Sequence, residues 1–183
     1  MTKHIQLMER CKTGDRKAQR ELYDLYKSRL MGVCRRYASS REEAQDVLQE
    51  SFIKIFSKFS QLDSSEAMEG WMIRITINTA VDYYHKSKRY TFSAIDAVES
   101  QNNDYELILS NIGDEFLVRT INELPDGCRV VFNLFVVEGY SHAEIAGMLK
   151  ISESTSRSQL VYAKTILKEK LSAVGVLRYE RYA

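Results

Sequence analysis

Lys86, Lys88 and Arg89 close a run in which Tyr83, Tyr84 and Tyr90 are interleaved. Cations track phosphates and aromatic faces stack on unpaired bases, so this mixture suits contact with a nucleic-acid strand. The same residues would also suit a plain helix end, where cations complement the macrodipole and tyrosines pack inward. A second group, Glu43, Asp46, Gln49 and Glu50, carries the opposite sign on one helical face. It is either a solvated face or a docking surface for a basic protein. A third group lies between Lys150 and Lys170, where five basic residues meet two acidic ones. There the hydroxyls near Ser154 could bond phosphates or bases, Arg157 could read guanine or hold a phosphate, and Gln159 could pair with adenine.

Nothing in the chain is arranged for covalent catalysis. No paired carboxylates or nucleophile–histidine set stands out, and the three histidines lack metal-ligand spacing. Cys11, Cys34 and Cys128 are far apart and form no C-x-x-C pair, which fits buried free thiols in a reducing compartment. We therefore expect no metal, no cofactor and no small-molecule substrate. A net charge of +1 means that any nucleic-acid surface must arise by local segregation of charge. The N-terminal residues lack the apolar core of a signal peptide, and the longest apolar run, Val130 to Val137, is too short to span a bilayer. The expectation is a cytoplasmic protein without membrane insertion.

The elements that would position these groups are helical. Leu22, Leu25, Tyr26, Leu30, Val33 and Tyr37 recur every three or four positions over 18–37, and Ala44, Val47, Leu48, Ser51, Ile55, Phe56 and Phe59 do so over 40–59. A polar break follows from Ser60 to Gly70. The run from Trp71 to Lys88 has a β-branched first half that could pass for a strand, but its length and the spacing of Ile73, Ile77, Ala80, Val81 and Tyr84 favour a helix. Between Arg89 and Arg119 there is no basic residue, whereas six acidic ones occur, so residues 91–118 read as an acidic linker. Structure restarts at Leu124-Pro125-Asp126, with proline at the first helical position of a helix ending at Gly139. Ser141 and Glu144 have capping-box spacing and open a short helix. A turn at Lys150–Ser152 leads to a longer helix ending near Leu171. The expected architecture is all-α, with two small helical domains, residues 1–90 and 119–183, joined by the linker.

A short capped helix, a tight turn and a longer helix outline a DNA-binding helix-turn-helix, in which the second helix enters the major groove. Leu160, Ala163, Leu167 and Leu171 form the inward stripe, leaving Ser154, Arg157, Ser158, Val161 and Thr165 facing away. A solvated αα-hairpin would share this outline.

The runs ELYDLYKSRL, EEAQDVLQESFIKIF and WMIRITINTAVDYYHKSKR resemble the promoter-melting domain of extracytoplasmic-function sigma factors. The run ELPDGCRVVFNLFVVEGYSHAEIAGMLKISESTSRSQLVYAKTILKEKL is similar to their second domain, which recognises the upstream promoter element. The resemblance implies a transcription initiation factor whose partners are core RNA polymerase, promoter DNA and an anti-sigma factor. It assigns Glu43, Asp46, Gln49 and Glu50 to polymerase docking. It places Gln61, Asp63, Ser64 and Ser65 in the loop that holds a flipped minus-ten base, and Asn78, Asp82, Tyr83, His85, Lys86, Lys88 and Arg89 on the strand-contacting helix. Ser154, Thr155, Arg157, Ser158, Gln159 and Val161 fall on the helix that reads the minus-thirty-five element. The linker is similar to the segment threaded toward the RNA exit path.

Three positions depart from the family pattern: His85 stands where arginine is usual, Ser156 replaces a common core valine, and Gln159 replaces a common arginine. Val161 offers an apolar contact to a thymine methyl where a polar residue is frequent. These departures bear on promoter specificity more than on fold. A conventional helix-turn-helix regulator with an N-terminal dimerisation or sensing unit is the competing reading, and a helical enzyme a third. The regulator would bind a palindromic duplex without polymerase.

Overall fold

The computed structural model describes residues 3–88 and 119–173, apart from the side chains of residues 3, 4, 87 and 88. The linker expected at 91–118, together with Arg89 and Tyr90, lies outside the described residues. The chain divides into two units, Met1–Thr91 and Phe92–Ala183. Every regular element among the described residues is helical.

The first unit contains α1 (Lys3–Lys12), α2 (Arg16–Tyr37), α3 (Arg41–Lys58), a 3₁₀ turn (Phe59–Gln61) and α4 (Met68–Lys88). Helices α2, α3 and α4 pack mutually around Leu22, Leu30, Val47, Ile55, Phe59, Met68 and Met72, all almost inaccessible to solvent. Leu25 departs from its expected place on the α2 stripe and is 56% exposed, because Leu22 and Tyr26 already occupy that turn of the core. Helix α1 had no counterpart in the helical periods above. Its Leu7, Met8 and Cys11 pack inward, and Gly14, at φ +78°, turns the chain so that the Asp15 carboxylate caps the backbone N–H groups of Lys17 and Ala18. Ser40 caps α3 in the same manner.

Helix α4 begins at Met68, three residues earlier than expected, since Leu62 and Met68 are both buried and pull the polar break onto the core. Its β-branched first half is helical. Thr76 and Thr79 are buried, and each hydroxyl donates to the carbonyl four residues back, Met72 at 2.9 Å and Ile75 at 2.8 Å. Local side-chain bonds thus satisfy the polar atoms that would otherwise oppose burial.

In the second unit, α5 (Asp126–Phe132) runs into a π turn (Asn133–Val137), followed by α6 (His142–Leu149) and α7 (Glu153–Ala173). Pro125 is the N-cap of α5, one position before its expected place, because its ψ of 140° is extended. The buried Arg129 side chain donates to the Asn122 and Leu124 carbonyls and pairs with Asp126 at 2.8 Å, fastening the preceding segment to α5. Gly139 has φ +77°, the left-handed conformation that ends the π turn. Both hydrogen bonds of the Ser141–Glu144 capping box are present. Leu134, Ile145, Leu149, Leu160, Ala163, Leu167 and Leu171 close the core, with α6 and α5 both packed on α7.

The turn from α6 to α7 depends on Lys150, the one non-glycine residue with positive φ among the described residues, at φ 55° and ψ 43°. A side chain there costs about 1–2 kcal/mol relative to right-handed backbone, a penalty that glycine escapes at some entropic expense. We expect Lys150→Gly to stabilise the second unit by about 1 kcal/mol or less, seen as a raised midpoint in urea unfolding.

Candidate nucleic-acid interface

The acidic group of α3 is divided by its surroundings. Glu43 belongs to the helix start: its carboxylate accepts from the Ser39 backbone N–H at 2.6 Å, while its own N–H donates to Ser40 Oγ. Asp46 and Gln49 are exposed. Ile53, one turn beyond Gln49, is 68% exposed, the most exposed large apolar side chain among the described residues. Asp46, Gln49 and Ile53 therefore form one outward row at i, i+3 and i+7. Sequence reading missed Ile53 because it followed the apolar stripe, and the signal was an isoleucine off that stripe.

Glu50 is not part of an open acidic face. Its carboxylate pairs with Lys54 Nζ at 3.1 Å and approaches Lys86 Nζ at 3.9 Å, while Lys54 also bonds Asp82 of α4 at 3.0 Å. Lys86 lies over the Tyr83 ring at 5.0 Å. Hydrogen bonding from Lys54, helped by the charges of Lys54 and Lys86 and by the Tyr83 hydroxyl, lowers the Glu50 pKa against partial burial. Burial acts to lower the Lys54 pKa, but the Asp82 and Glu50 carboxylates outweigh it and raise the pKa. Burial and then the Glu50 charge raise the Tyr83 pKa. One network thus ties three of the strand-helix residues, Asp82, Tyr83 and Lys86, to a residue of the docking group.

The remaining first-unit residues sit around this network. Asn78, Asp82 and Lys86 are exposed at successive turns of α4, and His85 is half-buried with its ring 5.9 Å from that of Tyr84. Lys88 closes α4, and Arg89 lies outside the described residues. In the loop before α4, buried Leu62 and Met68 anchor the backbone while Gln61, Asp63 and Ser64 stay exposed and Ser65 half-exposed. Ser64 Oγ accepts from the Glu66 N–H at 3.2 Å, and Phe59 meets Trp71 edge-on at 5.9 Å beneath the loop.

In α7, Ser154 and Arg157 are exposed, whereas Thr155, Ser158, Gln159 and Val161 are half-buried. Ser152 Oγ accepts from the Thr155 N–H at 3.0 Å and lies 2.8 Å from both the Ser154 and Thr155 hydroxyls. Ser158 donates to the Thr155 carbonyl, and Arg157 pairs with Glu153 at 2.9 Å. Gln159 Oε1 is buried, so its amide is turned partly into the protein. The helix thus presents Ser154 and Arg157 most openly.

Among the described residues, no group of three His, Cys, Asp or Glu is placed to hold a metal ion, and no helix is long and apolar enough to cross a membrane. Burial raises the Cys11 thiol to about 11 and the Cys34 thiol to about 12, so both stay protonated at neutral pH.

The Sigma-70 region 2 family model matches residues 22–90, and the Sigma-70, region 4 model matches residues 117–167. The ECF RNA polymerase sigma-E factor of Salmonella typhimurium is 31% identical over 177 residues, covering 90% of this chain and 92% of that protein. The chain belongs to the ECF sigma factors. The Escherichia coli sigma-E factor is 30% identical with the same coverage, and that of Haemophilus influenzae is 29% identical over 178 residues. The sigma factor RpoE of Bartonella quintana, solved with the anti-sigma factor NepR, shares the fold at a TM-score of 0.50 and 19% identity, over 84% of this chain and 96% of that one. As a sigma factor the chain is a transcription initiation factor, and the resemblance read from its motifs holds.

Charge reversal should separate Asp46 from Glu50 on α3. Asp46→Lys leaves every ion pair of the network in place and changes only the minor influence of this charge on Tyr83, so stability should change by less than about 0.5 kcal/mol. Glu50→Lys sets a third ammonium beside Lys54 and Lys86 and should cost up to about 1 kcal/mol, the scale of partly exposed ion pairs. Thermal unfolding of the two variants measures the difference.

Proposed function

We propose that this sigma factor brings core RNA polymerase to promoters by dividing its contacts among three surfaces. The outward row of Asp46, Gln49 and Ile53, with Glu50 at its edge, docks on a basic face of the polymerase. The exposed loop Gln61–Ser65 and the α4 residues Asn78, Asp82, Tyr83, His85 and Lys86, continued by Lys88 and Arg89, engage the minus-ten strand. The start of α7, from Ser154 through Val161, lies in the major groove of the minus-thirty-five element, with Ser154 and Arg157 foremost. The observation that carries this reading is the ion network shared by Glu50, Lys54, Asp82 and Lys86, which joins the face of α3 proposed for docking to the face of α4 proposed for strand contact.

Chemistry in this assignment belongs to the polymerase, and the sigma factor itself catalyses nothing. The working compartment is the cytoplasm, where the polymerase acts. The domain limits are residues 1–90 for docking and melting, 91–118 for the acidic linker and 119–183 for upstream recognition. An anti-sigma factor would silence the protein by covering the docking row.

Reconstituted holoenzyme should select promoter fragments from genomic DNA, whereas the free factor should bind duplex weakly. Tight binding to a palindromic duplex without polymerase would sink the proposal in favour of a conventional regulator. In the same assay, Asp46→Lys should reduce affinity for core enzyme with folding intact.

Arg157→Ala should cost about 1–3 kcal/mol on the cognate upstream element if the guanidinium reads a base. An equal loss on every sequence would mean a phosphate contact instead. Because Glu153 holds Arg157 and repels phosphates, Glu153→Gln should tighten upstream binding, and unchanged binding would show that the pair persists on DNA.

A further inference from the structure

The second unit has a polar contact in its core that the outward face of α7 does not use. Ser156 is fully buried between Thr155 and Arg157 in sequence, on the inner side of α7. Its hydroxyl lies 2.9 Å from Nδ1 of His142, the first residue of α6. The His142 ring stacks on Phe135 of the π turn, with centroids 4.4 Å apart and planes at 22°. One imidazole therefore touches the π turn, opens α6 and bonds the first turns of α7. A hydroxyl at a core position is destabilising unless it is paired, and His142 supplies that pairing.

We propose that His142 is a positioning residue for upstream-element recognition, holding the start of α7 in place through Ser156 and loosening it when the ring takes a proton. This inference rests on the reading of α7 as the duplex-contacting helix.

The surroundings favour the neutral ring. Burial is the first cause lowering the His142 pKa below 6.5, followed by the positive charge of Arg157; Lys164 acts in the same sense, and Glu153 opposes them. The π turn contributes the Phe135 ring, and on α6 itself Glu144 is engaged in capping Ser141. A neutral imidazole can accept from the Ser156 hydroxyl through Nδ1 or donate to it. A protonated ring can only donate, and it adds a cation close to Arg157. The sign of the pH effect follows. Above pH 6.5 the ring is neutral in both folded and unfolded chains. Below it the unfolded chain protonates first, so stability falls as pH drops from 6.5 toward the lowered folded value.

The test uses holoenzyme with the full-length factor and a promoter fragment selected by that holoenzyme, beside the same fragment with its upstream element scrambled. Upstream preference, the ratio of the two affinities, is measured from pH 8 to pH 5.5. Wild type should keep its preference through pH 6.5, about the ordinary imidazole value, and lose it as pH falls further, into the range where the burial-lowered ring takes a proton in the folded factor. His142→Gln keeps a hydrogen-bonding group but cannot titrate, so it should hold its preference across the range. His142→Phe keeps the stack and strands the Ser156 hydroxyl. It should lose about twofold to tenfold in preference at every pH, the scale of one hydrogen bond. Ser156→Val in the His142→Phe background should restore the loss. A His142→Gln profile that tracks wild type, or a folded His142→Phe with full preference, would overturn the proposal. If Arg157→Ala changes the affinity for neither fragment in this assay, the reading of α7 fails instead, so the two failures are distinguishable.

Discussion

Each unit of this sigma factor is too small to waste apolar surface, and the rest of the structure follows from that constraint. In the first unit, α2, α3 and α4 bury their stripes against one another. Leu62 and Met68 are drawn in as well, although they flank a loop whose other residues are polar. That anchoring keeps Gln61, Asp63 and Ser64 outward on a short, pinned segment. Exposed large apolar side chains are correspondingly few among the described residues, and Ile53 is the most open of them.

With so little core to spare, polar groups between the helices must satisfy one another. Lys54 stands between Glu50 and Asp82, and Glu50 also faces Lys86 and Tyr83. Each pair is partly exposed and contributes little to stability by itself. Their value is geometric: they hold Lys86 and Tyr83 of α4 beside Glu50 of α3.

Much of this was legible in the sequence. The stripes of α2, α3 and α7 follow helical periodicity, and Gly139 and the Ser141–Glu144 box announce the end of the π turn and the start of α6 by simple backbone chemistry. The ordered motifs of both units carry the family resemblance. Where periodicity failed, tertiary packing had overridden it. Leu25 lies next to the stripe but outside the core, Met68 starts α4 early because it is buried, and α1 is too short for its period to stand out. The division of the acidic group was not legible at all, since helical spacing places Glu43, Asp46 and Glu50 together while only contacts across helices and caps distinguish them.

The helix-turn-helix gathers most of the local rule-breaking in the second unit. Lys150 occupies a backbone region that favours glycine, Ser156 brings a hydroxyl into an apolar core, and the chain before α6 passes through a π turn. Sequences that specify one fold agree across levels, and their exceptions collect where function constrains the structure. Here each exception adjoins the start of α7. The π turn supplies Phe135 to stack on His142, His142 satisfies Ser156, and Ser156 precedes Arg157. Replacing Ser156 alone would take from His142 the group that ties it to α7, which is why a hydroxyl can persist where an apolar side chain would fill the core by itself.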